Sequence, residues 1–283
     1  MKIIHDPNQM TQIVNQHRKS SQSIGFVPTM GYLHLGHEAL LKKAREESDI
    51  VILSVFVNPL QFNDTSDFES YPIDEKRDQD VARAHHVDYL FMPHANDLYK
   101  NKHAITMHVK ERTGVLCDRS RPGHFDGVIT ILTKLFNIVK PDYAYFGKKD
   151  AQQIAIVDLL IETLNFDIKL KMVDTVRESD GLAFSSRNVN LEEIERTQAS
   201  SIYASLKQAK QAILNGEKDP RRLVQTVEKT LQTIDTGQID YVDLLSFPEL
   251  EPIDRINGTI ILAVAIQFEK ARLIDNIVID TES

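Results

Sequence analysis

Hydrophobic positions in the first 175 residues follow two alternating patterns. Short apolar runs predict buried strands at 23–27, 49–57, 87–92, 104–109, 142–146 and 168–173. The stretches between them predict helices over 36–47, 73–86, 127–139 and 150–164. Strands that alternate with helices favour a parallel, doubly wound sheet. We therefore predict a Rossmann-like α/β domain over residues 1–175.

The pattern changes after position 175. Two long helices are predicted over 192–215 and 220–234, and three β-like runs follow at 239–245, 259–268 and 271–279. Helices that come first and strands that come after them are typical of an α+β arrangement. We therefore predict a smaller C-terminal α+β domain over residues 176–283, which we expect to close over the functional site.

Composition is typical of a globular protein and limits the classes of binding partner that we expect. Of 283 residues, 42% are hydrophobic and 26% charged, which is enough apolar material for a sizeable core. The net charge of −8 provides no basic surface for nucleic acid or for a membrane, so we expect neither partner. An anionic substrate is still compatible with this charge, through a local cluster of cationic side chains and backbone N–H groups.

The single cysteine and the lengths of the apolar runs indicate where in the cell we expect the protein. One cysteine, Cys117, excludes an intrachain disulfide and a cysteine-based zinc site, and we expect a packed thiol rather than a nucleophile. The opening residues MKIIHDPNQM contain no signal-peptide core, and no run approaches about 18 apolar residues. A reducing cytoplasm is the location we expect.

The first chemical motif is PTMGYLHLGHEAL at 28–40, between a predicted strand and a predicted helix. Ligands bind at the carboxyl ends of strands in open parallel sheets, and the N–H groups at a helix start attract phosphate oxygens. His34 and His37 share one face of that helix, and Gly31 and Gly36 let the backbone approach a ligand closely. This pattern predicts a triphosphate site. A chance pair of surface histidines and a metal-binding pair without a third ligand are the alternatives.

Two further motifs follow predicted strands in the same way. FVNPLQF at 56–62 sets Asn58 and Gln61 among apolar residues, which is typical of a small-molecule pocket and equally of an Asn-Pro turn. FGKKDAQQ at 146–153 places Lys148 and Lys149 at a helix start, where the helix dipole disfavours cations unless an anion is bound. Asp150 in that motif is also a plausible N-cap residue, and Gln153 lies one turn further on.

Two loops complete the set of candidates. TVRESDGLAFSSRN at 175–188 carries Ser185, Ser186 and Arg187 in a flexible-looking loop that could clamp phosphates, although a domain linker ending in a helix cap explains it equally simply. RSRPGHFDGV at 119–128 could bind an anion or order a subunit contact, with a solvated loop as the commoner explanation. Because the motifs converge on strand ends and supply several cationic groups, we predict a nucleotidyl-transfer site for ATP.

Together these five motifs resemble the pantoate–β-alanine ligase family across the whole chain. HLGH resembles the HIGH motif of a wider nucleotidyltransferase superfamily, and FSSRN resembles its KMSKS-type loop, while FVNPLQF and FGKKDAQQ narrow the resemblance to this ligase. The resemblance implies an AMP-forming ligase that joins pantoate to β-alanine through pantoyl adenylate. It also implies ATP and Mg²⁺, a homodimer and a role in making a coenzyme A precursor.

The resemblance also assigns roles to individual positions. It implies an ATP site made of Met30, Gly31, Tyr32, Leu33, His34, Leu35, Gly36, His37, Gly147, Lys148, Lys149, Asp150, Val176, Phe184, Ser185, Ser186 and Arg187. It implies substrate contacts from Pro28, Thr29, Asn58, Gln61, Arg121 and Gln153. His34, His37, Lys149 and Arg187 would act catalytically, with His37 as a hydrogen-bond donor to phosphate rather than a strict acid. Asp78 would contribute to the metal environment.

Two positions depart from the family pattern, and two other functions compete with the ligase. Cys117 stands where many members carry glutamate, so no role of that glutamate transfers, and Lys148 replaces a residue that is often glutamate. Another HIGH-motif nucleotidyltransferase would release pyrophosphate without an amine acceptor. An RNA-binding relic of a synthetase is the non-enzymatic alternative, which the net charge of −8 disfavours.

Overall fold

A computed structural model describes residues 1–63, 65–99 and 104–282. It divides into two compact units. The first unit comprises Met1–Val109, Arg121–Gly147 and Ile156–Asp174. The second unit comprises Lys110–Ser120, Lys148–Ala155 and Thr175–Ser283. Two short segments from earlier in the chain therefore belong with the C-terminal residues.

All six predicted helices are present, and one 13-residue helix near the N-terminus and several short helices are additional. They are α1 (Pro7–Lys19), α2 (Leu35–Glu47), α3 (Thr65–Glu69), α4 (Glu75–Ala84), α5 (Ala95–Leu98), α6 (Cys117–Ser120), α7 (His124–Val139), α8 (Ala151–Thr163), α9 (Glu193–Leu214) and α10 (Pro220–Leu231). Short 3₁₀ turns span Pro59–Gln61, Lys148–Asp150 and Ser186–Asn190. Within the described ranges, no helix combines the length and the apolar composition needed to cross a membrane.

The first unit is built on a parallel sheet. Its strands are β1 (Lys2–Ile4), β2 (Ile24–Thr29), β3 (Ile50–Val55), β4 (Tyr89–Phe91), β5 (Tyr143–Gly147) and β6 (Lys169–Val173). In the part of the chain that the structure describes, these six strands lie in the order β1-β4-β3-β2-β5-β6, and each pair is parallel. The predicted α/β class is confirmed. The central strands read as continuous apolar runs because parallel sheets are covered on both faces.

The strand order creates a switch point beside β2. From β2 the chain continues to β3 and β4 on one side, whereas β5 and β6 lie on the other side. Ligands of open α/β sheets bind outside the carboxyl ends of the strands at such a switch point. The carboxyl end of β2 leads directly into the PTMGYLHLGH motif, so the fold places that motif where a ligand is expected.

The second unit has its own core. Strands β7 (Gln238–Ser246), β8 (Thr259–Gln267) and β9 (Arg272–Asp280) form an antiparallel sheet in that order. Helices α9 and α10 pack with it, and Leu206, Val227 and Leu262 are each fully buried in the shared apolar cluster. The predicted α+β arrangement of the C-terminal residues is confirmed.

One predicted strand is absent, and two elements near the N-terminus were not predicted. The described segment 104–109 forms no strand, although its sequence alternates apolar and polar residues. Its end is held by a side chain instead, because Asp126 accepts a hydrogen bond from the backbone N–H of Val109 at 2.9 Å and bonds His108 Nδ1 at 2.8 Å. Ile105 is 83% exposed. Strand β1 is only three residues long, which is too short for a periodicity signal. Helix α1 carries Met10, Ile13 and Val14 at helical spacing, so its signal was present in the sequence.

Candidate active site

The two histidines of the first motif cap helix α2 themselves. His34 is the N-cap residue, and its Nδ1 accepts the backbone N–H of Gly36 at 3.1 Å. His37 Nδ1 accepts the backbone N–H of His34 at 3.3 Å. This reciprocal pair is a capping box made of imidazoles, whereas Ser or Thr and Glu usually form it.

The cap determines which ring nitrogens carry protons. Because Nδ1 of each ring accepts a hydrogen bond, a neutral imidazole at His34 or His37 must carry its proton on Nε2. The two ring centres are 4.1 Å apart, at the positive end of the α2 dipole. Two adjacent N–H donors at a helix start suit a ligand that bears anionic oxygens.

Asp78 shapes the loop that leads to these histidines. Its buried carboxylate, only 1% exposed, accepts the backbone N–H of Tyr32 at 3.0 Å and of Leu33 at 2.7 Å. Gly31 and Tyr32 both have positive φ, at 88° and 53°, and these two hydrogen bonds stabilise that uncommon turn. Burial raises the pKa of the Asp78 carboxyl, while the N–H groups of Leu33 and Tyr32 oppose the rise.

These contacts give no support to a metal-binding role for Asp78. Both carboxylate oxygens are bonded to backbone N–H groups. Among the described residues, no group of three or more His, Cys, Asp or Glu side chains could hold a metal ion. We therefore assign Asp78 a structural role, which is to hold the loop before α2 through two backbone N–H groups. Its metal role stays a prediction from the resemblance.

Replacing Asp78 with asparagine is expected to lower the free energy of unfolding by about 1–3 kcal/mol. One of the two loop N–H groups would then face an amide NH₂ instead of an acceptor. Denaturant unfolding measures the change, and Asp80→Asn is the matched control because Asp80 lies on the same helix in an exposed pair with Arg83. Equal stability of the two variants would contradict the anchoring role.

Asn58 lies after β3 and is enclosed by protein groups. It is 1% exposed, and its Nδ2 donates to Oε1 of Gln61 and to the backbone oxygen of Gly127, both at 3.1 Å. Its Oδ1 accepts the backbone N–H of Leu60 at 3.3 Å and the hydroxyl of Tyr99 at 2.7 Å. The turn that the sequence offered as the alternative is therefore present, since Asn58 caps the 3₁₀ turn Pro59–Gln61. A small-molecule pocket at this position stays a prediction.

Gln61 connects the first motif to the second. Its Nε2 lies 3.0 Å from Sδ of Met30, so the two predicted motifs are in direct contact. His124 Nδ1 donates to the backbone oxygen of Gln61 at 2.7 Å. Helix α7 also approaches this turn closely at Gly127, where a Cβ would lie 2.3 Å from the oxygen of Leu60. Tyr99 gave no local signal in the sequence. His124 and Gly127 belong to the predicted RSRPGHFDGV motif, but nothing local indicated that they contact this turn.

Other predicted substrate residues of the first unit already have protein partners. The hydroxyl of Thr29 donates to the oxygen of Ser54 at 2.8 Å and accepts the N–H of Gly31 at 3.2 Å. Arg121 lies 3.3 Å from the carboxylate of Asp67. These contacts order the carboxyl end of β2 and the residues before α7.

The FGKKDAQQ residues that belong to the second unit form a 3₁₀ turn leading into α8. Asn276 holds this turn by donating to the backbone oxygens of Lys148 at 3.0 Å and Lys149 at 2.7 Å. Lys149 Nζ is 3.7 Å from Asp150, and Gln153 is half-buried in the first turn of α8. A small pocket of this unit is lined by Lys149 and Ser185 among others, so two predicted phosphate ligands lie beside the same cavity.

The loop at 175–188 is anchored by ion pairs, although its sequence looks flexible. Arg177 bonds both oxygens of the buried Asp275, at 2.5 and 2.9 Å. Arg196 of α9 bonds Glu178 at 2.7 Å and Asp180 at 2.6 Å. The hydrogen bond from Arg196 lowers the pKa of Asp180. The base of this loop is therefore held in place by ion pairs within the second unit.

The residues of this loop that the resemblance assigns to the ATP site lie at its two ends. The backbone N–H of Phe184 donates to the oxygen of Val176 at 3.1 Å. Ser185 caps the 3₁₀ turn Ser186–Asn190, and its Oγ accepts the N–H of Arg187 at 3.2 Å. The cap that the sequence suggested as an alternative is therefore present.

A family model for pantoate-beta-alanine ligase matches residues 2–278. The chain belongs to that family. It is 51% identical over 279 residues to the pantothenate synthetase of Bacillus pumilus (strain SAFR-032), covering 98% of this chain and 96% of that protein. The resemblance predicted from the motifs is thus confirmed along the chain.

Solved pantoate-beta-alanine ligase structures share this fold. The pantothenate synthetase of Thermus thermophilus superposes with a TM-score of 0.92 at 36% identity, covering 98% of this chain and 99% of that one. The enzyme of Francisella tularensis, described as complexed with beta-gamma ATP and beta-alanine, gives 0.80 at 34% identity, covering 100% and 98%. The family and the fold therefore agree.

Cys117, at the position where the resemblance leads us to expect glutamate, is packed inside the second unit. The side chain is 8% exposed, with Sγ 3.4 Å from the hydroxyl of Tyr241 and 3.6 Å from Arg272.

We expect Cys117→Ser to keep steady-state activity within about twofold, because the change conserves volume and polar contacts. A loss of tenfold or more, with unchanged unfolding, would show that the thiol has a role in the reaction.

Proposed function

We propose that the chain condenses pantoate with β-alanine at the expense of ATP, through a pantoyl adenylate, and releases AMP and pyrophosphate. Family membership supports the ligase class. The observation that carries the adenylation step is the pair of imidazoles at the start of α2, whose Nε2–H groups suit phosphate oxygens.

The proposed reaction has two displacement steps. A carboxylate oxygen of pantoate attacks the α-phosphorus of ATP, and the bond from that phosphorus to the bridging oxygen breaks. Pyrophosphate leaves with the electron pair. The neutral amine of β-alanine then attacks the acyl carbon, the bond to the AMP oxygen breaks, and the amine loses a proton to solvent as pantothenate forms.

His34 and His37 would act in the first step by hydrogen bonding. Negative charge grows on the pyrophosphate oxygens as it leaves, and fixed donors stabilise charge that develops in the transition state. Pyrophosphate is a good leaving group, so a positioned Nε2–H suffices without full proton transfer. Magnesium bound to the phosphates would neutralise part of their charge; its ligands stay a prediction, as do the other ATP contacts assigned to this chain.

Gln61 would bind pantoate, with its amide donating to a ligand oxygen beside Met30. Gln153, Pro28 and Thr29 stay proposed neighbours of the acid. An acyl adenylate hydrolyses readily, so the residues around it must exclude water. A bound amine held close to the acyl carbon makes the second step effectively unimolecular.

The direct test mixes the protein with ATP, Mg²⁺, pantoate and β-alanine and measures both products. We expect pantothenate and AMP in equal amounts, and we expect AMP formation to fall to a small fraction of its rate when β-alanine is omitted. AMP formation at full rate without β-alanine would instead support a nucleotidyltransferase that needs no amine acceptor. The homodimer and the cytoplasmic location stay predictions, and sedimentation tests the first.

A further inference from the structure

The amide orientation of Asn58 is determined by two backbone groups. The N–H of Leu60 is a donor only, so the Asn58 atom 3.3 Å from it must be the oxygen. The carbonyl of Gly127 is an acceptor only, so the Asn58 atom 3.1 Å from it must be the nitrogen. Flipping the amide would place like groups against each other on both sides.

The orientation of the Asn58 amide determines the orientation of the Gln61 amide. The second N–H of Asn58 Nδ2 points to the Gln61 side chain at 3.1 Å, which must therefore present its carbonyl oxygen to Asn58. The NH₂ of Gln61 then lies on the other side, 3.0 Å from Sδ of Met30. Thioether sulfur is a weak acceptor, so a ligand oxygen would replace it at little cost.

Tyr99, Asn58 and Gln61 form a chain of hydrogen-bonded side chains, which we call the relay. Its shortest hydrogen bond is the one that Tyr99 makes. The hydroxyl of Tyr99 is 2.7 Å from Asn58 Oδ1, whereas the other donor to that oxygen, the Leu60 N–H, is 3.3 Å away. Burial raises the pKa of the Tyr99 hydroxyl, so it remains protonated. A hydrogen bond of 2.7 Å lies nearer the preferred length than one of 3.3 Å. Tyr99 is therefore the stronger donor to the Asn58 oxygen, although it lies 41 positions further along the chain.

We propose that Tyr99 is a positioning residue for the binding of an acid: its hydroxyl holds Asn58 in the orientation that Leu60 and Gly127 set, and Asn58 in turn keeps the NH₂ of Gln61 facing the ligand. A carboxylate or hydroxyl oxygen then finds a donor, and a ligand group that must itself donate does not. Asn58 acts through Gln61 rather than on the substrate. The selectivity for pantoate in this inference rests on the proposed function, whereas the relay itself does not.

The test removes one oxygen atom, with Tyr99→Phe. Without the hydroxyl, the Asn58 amide is held less firmly and Gln61 presents its donor for a smaller fraction of the time. We expect the KM for pantoate to rise about tenfold, equivalent to about 1.4 kcal/mol, with the KM for ATP unchanged. In a Gln61→Ala background the same substitution should change the KM for pantoate by less than about twofold, because coupled residues are not additive.

Tyr145→Phe is the matched control for loss of a buried hydroxyl. Tyr145 is fully buried in the same unit, and its hydroxyl contacts Glu47 at 3.2 Å and Ser48 at 3.3 Å. We expect this variant to lose stability but to keep the KM for pantoate. Equal effects of the two substitutions on that KM, or a Tyr99→Phe effect that adds fully to that of Gln61→Ala, would overturn the inference.

A second readout needs no substrate. In the ligand-free protein, hydrogen exchange of the Asn58 side-chain NH₂, followed by ¹⁵N NMR, should be slow and should accelerate about tenfold or more in Tyr99→Phe, because protection reflects local opening. Unchanged exchange would also overturn the relay. If wild type makes no pantothenate while exchange accelerates as expected, the proposed function fails and the relay stands.

Discussion

Replacing His37 with alanine is expected to slow pantoyl adenylate formation about 10²- to 10³-fold, because one donor to a developing anion is lost. The reason lies in the cap of α2, where His37 Nδ1 accepts the N–H of His34 and leaves the ring proton on Nε2. Single-turnover quenching of enzyme, ATP and pantoate without β-alanine measures this step directly.

The same substitution also removes a capping contact. Loss of an N-cap interaction costs about 1 kcal/mol, so the fold should survive. His5→Ala is the matched control, since His5 bonds the backbone oxygen of Met92 at 2.7 Å and belongs to no predicted site. Normal adenylate formation in His37→Ala would contradict the role assigned to the imidazole pair.

Replacing Gly127 with alanine is expected to lower the free energy of unfolding by about 3 kcal/mol, the upper part of the usual range for overpacking. The added Cβ would lie 2.3 Å from the oxygen of Leu60 and 2.6 Å from the nitrogen of Gln61. Both of these atoms belong to the backbone, so they cannot move aside by a side-chain rotation. Helix α7 must then move from the turn, and Asn58 loses its partner at the Gly127 oxygen.

Activity should fall together with stability in this variant. We expect the KM for pantoate to rise more than about tenfold, because Gln61 is held by the turn that α7 displaces. Gly147→Ala is the stability control, since a Cβ at Gly147 would meet no atom within 4 Å. If Gly127→Ala unfolds at the same denaturant concentration as wild type, the close approach does not constrain the turn.

The hydrophobic pattern predicted the sheet well where burial and periodicity agree. Strands β2 and β3 are continuous apolar runs because the parallel sheet covers both of their faces. The segment 104–109 shows the limit: it alternates like a strand, but Asp126 occupies its backbone N–H at Val109. Nothing local in the sequence indicates a partner that is 17 positions away.

The residues of the candidate site also differ in how far the local sequence could indicate them. The position of His34 and His37 at a helix start depends on local context and could be predicted from the sequence, whereas their role toward phosphate stays a prediction. The position of Asp78 could not be predicted in this way, because its role is to bond two N–H groups located 45 and 46 positions earlier. Asp78 lies within the charge run DEKRDQD at 74–80, a composition typical of a solvated helix face, and only the fold shows that this member of the run is buried.

The proposed function depends above all on the activation of pantoate as an adenylate before β-alanine attacks. The most direct measurement uses pantoate labelled with ¹⁸O in its carboxylate and follows the label by mass spectrometry. The mechanism predicts that each AMP formed carries one ¹⁸O atom, because the carboxylate oxygen bonds the α-phosphorus and stays there when the amide forms. Pantothenate that accumulates alongside unlabelled AMP would contradict it.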